Sequence, residues 1–253
     1  MHGTMNAMRF FVGTSGWTYD DWWGTFYPED LKASERLSYY ATQFNTVEIN
    51  ATFYRAPTAP MIEAWNRRLG SEFHLVVKGS RVVTHLKKLD DCGEQLEFFL
   101  DRIRGLKRLK VILWQLPPSI HKDVARLERF LSRLPEWARH AVEFRHKSWW
   151  DEEVREVLAR HSAAFVAVSH PKVPETILPT TDFLYVRFHG QGRDLYQYDY
   201  SKDELSHWVS IMKPHLSGRM AYVFFNNDYN ANAPWNALTM REMLSELLTV
   251  APT

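Results

Sequence analysis

The sequence predicts an α/β fold, a (β/α)8 TIM-like barrel in a single domain, and three observations carry that expectation. Short β-branched and aromatic runs alternate with longer runs of helical period. The alternation repeats eight times, with strand starts about 20 to 37 residues apart, the size of a βα unit with its loops. The chain has 253 residues, close to the roughly 250 of a one-domain α/β barrel.

The eight candidate strands are Arg9–Thr14, Thr46–Ile49, Phe73–Lys78, Lys110–Leu116, Ala141–Phe144, Ala164–Val168, Phe183–Phe188 and Met220–Phe225. Strands covered on both faces read as near-continuous apolar stretches, as Val111-Ile112-Leu113-Trp114 and Tyr222-Val223-Phe224-Phe225 do. Between them, Gly93 to Leu106 sets Leu96, Phe99, Leu100 and Ile103 on one helical face. Asp123 to Leu134 repeats the pattern with Val124, Leu127, Phe130, Leu131 and Leu134. Asp151 to Arg160 opens with three acidic residues, which suit the positive end of a helix. Asn236 to Leu248 closes the chain as the last helix.

Ser169 to Asp182 breaks the rule. Pro171, Pro174 and Pro179 predict a Pro-rich loop in place of the sixth helix, and a loop of that length in a compact domain tends to be functional. A doubly wound open sheet is the structural alternative. It loses its main support because neither a Gly-x-Gly-x-x-Gly turn nor a phosphate-binding Gly-x-x-x-x-Gly-Lys-Ser/Thr loop occurs. Residues 9–250 are thus expected to form one domain, preceded by a short extension, 1–8.

Composition bounds the function. Thirty-one basic and 30 acidic residues leave a net charge of +1, which argues against capture of nucleic acid or membrane by bulk charge. Residues 1–8 do not pair a basic stretch with an apolar run, and no segment is apolar enough to span a bilayer. A cytoplasmic location without a membrane partner is the expectation. The single cysteine, Cys92, excludes an internal disulfide framework; it precedes a helix without an evident partner and is expected to be inert. Of the ten tryptophans, Trp17, Trp22, Trp23, Trp149 and Trp150 fall in loops just past strand ends, where rings can wall a pocket.

In α/β barrels the site lies at the C-terminal strand ends. Here these read Ser15; Glu48 and Asn50; Lys78; Gln115; Glu143 and Arg145; Ser169 and His170; Arg187 and His189; Asn226, Asn227 and Asp228. Successive strand side chains point to opposite faces, so Glu48 and Asn50 share a face, as do Glu143 with Arg145 and Arg187 with His189. The apolar set packs against helices, which turns the charged set inward. Buried charges are costly unless paired, so they form a network, a ligand site, or both. A single pair, such as Glu48 with Lys78 or Glu143 with Arg145, is equally well explained as a structural salt bridge. Six or more converging polar strand ends favour a ligand site.

Lys78, Arg187 and Arg145 in such a cavity favour an anion, a phosphate or carboxylate, and Glu48, Glu143 and His189 are the proton-transfer candidates. Gly13-Thr14-Ser15-Gly16 lacks the spacing of a nucleophile elbow and reads as a turn. No cofactor is predicted. A divalent metal held by His85, His189, Glu48 and Glu143 is a weaker alternative, because neighbouring Lys and Arg disfavour a cation.

These residues also resemble a known family, domain of unknown function 72, the YecE-like proteins. The resemblance runs from about Phe11 to Leu247. It comprises Gly13-Thr14-Ser15-Gly16-Trp17 with Tyr19 and Trp22, Thr46-Val47-Glu48-Ile49-Asn50 followed by Thr52-Phe53-Tyr54, then Lys78 and Thr84-His85. It continues with Gln115-Leu116-Pro117-Pro118-Ser119, Glu143-Phe144-Arg145 with Ser148-Trp149, Arg187-Phe188-His189-Gly190, and Asn226-Asn227 with Asn236-Ala237. Relatives commonly carry a glycine past Asn227, where this chain reads Asp228-Tyr229-Asn230-Ala231-Asn232. The resemblance implies a TIM-like barrel and adds Trp17 and Tyr54 to the ligand-binding candidates, but supplies no activity. Its barrel is similar to those of metal-dependent apurinic endonucleases and sugar isomerases, whose several His, Asp and Glu metal ligands have no comparable set in this sequence.

The expected function is therefore an enzyme of uncharacterised reaction, binding a small anionic, phosphorylated or carboxylated molecule with Glu/His acid–base chemistry of hydrolase, lyase or isomerase type. Two alternatives stand beside it. One is a nucleic-acid-binding or nuclease-like barrel that uses mouth cations and tryptophan stacking. The other is a module that binds a ligand without turnover.

Overall fold

The computed structural model describes residues 9–192 and 194–249; the expected extension 1–8 and position 250 lie outside the described residues. In chain order it places β1 (Arg9–Thr14), α1 (Arg36–Gln43), β2 (Thr46–Ile49), α2 (Ala51–Tyr54), α3 (Ala59–Arg68) and β3 (His74–Lys78). Then follow α4 (Gly93–Ile103), β4 (Leu109–Gln115), α5 (Val124–Leu131), β5 (Arg139–Glu143), α6 (Glu152–Arg160), β6 (Ala163–Phe165) and β7 (Ala167–Ser169). The last elements are β8 (Phe183–Phe188), α7 (Lys202–Met212), β9 (Met220–Phe225) and α8 (Asn232–Thr249). The helices start where their caps dictate. Asp123 and Asp151 accept backbone N–H groups of Arg126 and Glu153, and Ser201 forms a capping box with Glu204.

This is an α/β fold with parallel sheets. It differs from the expected closed ladder of eight strands: nine strands among the described residues form two sheets, β1-β9-β8-β7 and β2-β3-β4-β5-β6. Every ladder is parallel. The sixth expected strand is split at Val166. Its first half pairs β5 and its second half pairs β8, while Val166 N–H still donates to Val142 of β5 at 3.0 Å. At the other seam, between β1 and β2, a side chain replaces the ladder. The Tyr40 hydroxyl accepts from Thr14 N–H at 2.9 Å and donates to the Thr46 carbonyl at 3.1 Å. Gly13 permits this approach, since a Cβ there would sit 2.4 Å from the Thr46 oxygen.

Two apolar clusters follow the strand parity. The larger lies between sheets and helices and includes Val12, Val47, Ile49, Val77, Ile112, Trp114, Val142, Val186 and Val223. The smaller is built from the opposite faces of strands in both sheets, among them Phe11, Val76, Leu113, Ala141, Val166, Tyr185 and Phe224. The two sheets therefore share this second cluster, and the next residues along that face are the polar strand ends.

Residues 170–182 carry neither helix nor strand, and Thr180 from this loop patches β6. Its hydroxyl accepts Phe165 N–H at 2.9 Å and donates to the Ala163 carbonyl at 2.6 Å. In the loop after β9, Asn230 and Ala231 adopt φ of 53° and 60°. Such left-handed backbone is uncommon for residues other than glycine. No described helix is long and apolar enough to cross a membrane.

Candidate functional site

Past the smaller apolar cluster, three strands deliver a buried chain of charges. Arg187 on β8 stands in the middle, with its side chain and those of Glu48 on β2 and Glu143 on β5 at 0% exposure. Arg187 Nη2 donates to Glu48 Oε1 at 2.6 Å, and Nη1 donates to Glu143 Oε2 at 2.5 Å. Glu48 also accepts from Ser15 Oγ at 2.8 Å and from the Tyr185 hydroxyl at 2.5 Å. Glu143 accepts from Arg145 Nε, whose side chain is 12% exposed. Arg145 Nη2 lies 2.8 Å from His189 Nε2, which is 3.3 Å from both Glu143 Oε1 and Arg187 Nη1. Asn50 Nδ2 donates to the Ser15 carbonyl and to Asn226 Oδ1, turning Asn226 Nδ2 toward His189 Nδ1 at 3.1 Å. Gly190, next in line, has φ of 101°, and a Cβ there would strike the Leu195 carbonyl, so only glycine lets the chain turn away after His189.

Electrostatics assigns states to these groups. Burial alone would raise Glu143, but Arg145 and Arg187 hold it well below the usual carboxylate range. Burial opposes the charge on Arg187, yet Glu143 and Glu48 more than offset it and hold the guanidinium protonated. His189 is held well below the ordinary imidazole range, first by burial and then by Arg145, so it is neutral at physiological pH. Asp228, past β9, is pushed up to about 8, chiefly by burial.

Above the buried chain opens a cleft of about 480 Å³. It is lined by Phe53, Tyr54, Lys78, Arg81, His85, Gln115, Pro118, Arg145, His170, Lys172 and Tyr196. Four of these are Lys or Arg and none is acidic. The Lys78 ammonium sits 4.3 Å over the Phe53 ring and, among the described contacts, forms no ion pair within 4.0 Å. Burial, then Arg187, lowers it from 10.5 to about 8. His85 and His170 are each lowered to about 4, first by burial and then by nearby cations, so both are neutral. Lys172 N–H donates to His170 Nδ1 at 3.1 Å, which leaves that ring's proton on Nε2. Thr84 Oγ1 lies 3.1 Å from the Ser80 carbonyl and 2.9 Å from His85 Nδ1. His85 lies on a π-type turn, Val82–Leu86, a local widening common at functional sites.

The predicted residues thus divide. Ser15, Glu48, Asn50, Glu143, Arg145, Arg187, His189 and Asn226 form one hydrogen-bonded network. Lys78, Gln115, Arg145 and Tyr54, the last 72% exposed at the rim, line the cleft. Trp17 is not brought into either; it packs edge-on against Trp65 at 6.0 Å. The expectation that loop tryptophans wall the pocket is corrected, since none of the five lines this cleft. Trp22 and Trp149 are core residues, their indole N–H groups donating to the Asp228 and Ile120 carbonyls. Trp23 is partly exposed but leans on Arg36 at 4.6 Å. Tyr185, Arg81, Lys172 and Tyr196 were missed. Only Tyr185 left a signal, since it shares the parity of Arg187 and His189. Cys92 is buried, and burial pushes its thiol up, away from the reactive thiolate. No group of three or more His, Cys, Asp or Glu placed to hold a metal ion occurs among the described residues.

The chain matches a family model described as "Protein of unknown function DUF72" over residues 11–253. A curated relative, UPF0759 protein YunF of Bacillus subtilis (strain 168), is 25% identical over 280 residues, covering 92% of this chain and 94% of its own. The crystal structure of a DUF72 family protein from Thermotoga maritima MSB8 is 37% identical with a TM-score of 0.83, over 94% of this chain and 99% of that one. A DUF72 family protein from Enterococcus faecalis V583 has a TM-score of 0.81 at 20% identity, over 93% of this chain and 95% of its own, a likeness of fold.

Proposed function

The chain belongs to the DUF72 family, and we propose that it is an enzyme whose two sheets act as one barrel and whose cleft binds a small anion, phosphorylated or carboxylated. The observation that carries this reading is the charge of the lining. Lys78, Arg81, Arg145 and Lys172 converge without a carboxylate among them, in a molecule whose net charge is only +1. The adjoining cavity of about 610 Å³ makes the contrast, because Glu175, Asp203 and Glu204 line it. Like charges held together repel one another, and an anion relieves that repulsion.

Within this reading the buried carboxylates act as counter-charges. Both oxygens of Glu48 and both of Glu143 are engaged by protonated or hydroxyl donors, which leaves little capacity to take a proton from a substrate. They hold Arg187 in place, and Glu143 also holds Arg145 and His189. Proton transfer then falls to the neutral histidines at the cleft, His85 and His170, and to His189 beneath it.

Calorimetric titration with inorganic phosphate tests the reading, with glycerol as the uncharged control. Phosphate is expected to bind, and Arg145→Met to weaken it about tenfold, the order of one charge-assisted pair. Absence of phosphate and carboxylate binding near physiological salt would sink the proposal. Tight binding of single-stranded oligonucleotides with a steep salt dependence would move the assignment to nucleic acid.

A further inference from the structure

We propose that Lys78 is a nucleophile and that the anion bound in the cleft is an aldehyde or ketone, which Lys78 Nζ attacks to form an imine. This rests on the anion-binding reading and names the substrate class within it.

The geometry supplies three parts of such a site. The amine stands at the end of a rigid strand, β3, rather than on a loop. It has no carboxylate partner, because the nearby candidates are already taken: Glu48 by Arg187, and Glu143 by Arg187 and Arg145. A lysine kept only as a counter-charge would occupy one of those carboxylates. The anion anchor is provided separately by Arg81, Arg145 and Lys172 on the same cleft wall. Guanidinium groups clamp a phosphate or carboxylate better than a compact ammonium does, whereas a lysine is the better nucleophile once it loses its proton.

The protonation state agrees. With its value lowered to about 8, about one-tenth of Lys78 is neutral at pH 7, against about one in three thousand for an ordinary lysine.

The reaction balances without a further reagent. The lone pair of neutral Nζ attacks the carbonyl carbon, and the C=O pair becomes the carbinolamine hydroxyl as one proton passes from nitrogen to oxygen. The second N–H proton then leaves with that hydroxyl as water, and C=N remains. His85, whose ring lies 4.8 Å from the same Phe53 ring that carries Lys78 and which is neutral, is placed to shuttle these protons.

Reductive trapping tests it. The intact protein is incubated with glyoxylate or pyruvate and sodium borohydride, which delivers hydride to the imine carbon. The adduct is counted by intact mass and located by peptide mass spectrometry. One adduct on Lys78 is expected, forming at least ten times faster than with acetone and slowed by inorganic phosphate. Its rate should rise with pH and level near 8. Lys78→Arg should lose the adduct while its far-ultraviolet circular dichroism stays that of the original protein. Adducts spread over many lysines equally in the original and Lys78→Arg proteins would overturn the proposal, as would no adduct despite phosphate binding. Failure to bind phosphate at all would instead remove the anion-binding reading on which it stands.

Discussion

Lys78 shows what a single residue costs a fold when function needs it. For this lysine the native state holds the proton less tightly than the unfolded chain, about 8 against 10.5. Below pH 8 both states are protonated, and the native state bears the full penalty of a half-buried, unpaired ammonium. Between 8 and 10.5 the unfolded chain binds more protons, so stability rises with pH. Lys78→Met keeps the stem against Phe53 and removes the charge. It is expected to stabilise the protein at pH 7 by about 1–3 kcal/mol, since each tenfold loss of proton affinity on folding corresponds to about 1.4 kcal/mol. That gain should shrink toward pH 10, as followed by urea unfolding. A variant destabilised at neutral pH would show that the ammonium is compensated by a partner. Lys78 itself was legible in the sequence as a cation ending an apolar strand. Its lack of an ion pair was not, because that depends on how Arg145, just past β5, and Arg187 on β8 divide the two glutamates.

Elements were legible where a β-branched or aromatic run is bounded by polar residues. Arg9–Thr14, Thr46–Ile49, Phe183–Phe188 and Met220–Phe225 match the structure at both ends, each followed by a polar residue, Ser15, Asn50, His189 or Asn226. The short helix Ala51–Tyr54 and the π-type turn at Val82–Leu86 carry too few residues to show a period. The split at Val166 was hidden for another reason. Its residues are apolar on both sides of the break, and only the change of partner from β5 to β8 reveals it. The β1–β2 seam is likewise a matter of one hydroxyl. Tyr40→Phe would strip the acceptor from Thr14 N–H and a donor from the Thr46 carbonyl in a fully buried place. A loss of about 1–3 kcal/mol is expected, read as a lower urea midpoint with an unchanged slope. Gly13→Ala should cost more, since its methyl would force the two strands apart. If both variants unfold like the original protein, the seam contributes nothing to holding β1 against β2.

At the scale of the whole molecule, the charge chain is a tie between the two sheets. Ser15, Tyr185 and Arg187 come from the β1-β9-β8-β7 side, Glu48 and Glu143 from the β2-β3-β4-β5-β6 side, and the bonds between them join the two. Removing Arg187 alone leaves Glu48 without a cation and Glu143 with Arg145 alone, whereas removing all three charges leaves no carboxylate in this buried set. Breaking one member of a buried ionic set costs about 3–5 kcal/mol, while an apolar replacement of the whole set is often close to neutral. Arg187→Met is therefore expected to lose about that much at pH 7. Part of the loss should return as the pH is lowered, because a buried carboxylate stripped of its cation takes up a proton more readily in the fold than in the unfolded chain. The triple replacement Glu48→Leu, Glu143→Leu, Arg187→Met should recover most of the stability. Phosphate binding should stay weakened, because Arg145 has lost Glu143. Unfolding followed by tryptophan fluorescence and by far-ultraviolet circular dichroism separates the outcomes. Coincident transitions are expected for the original and triple proteins, and separated ones for Arg187→Met, where the sheets are no longer tied. If the triple protein is as unstable as the single one, the carboxylates have a structural role beyond pairing Arg187; if it binds phosphate normally, the tie and the cleft are independent and Arg145 does not need Glu143 to face the anion.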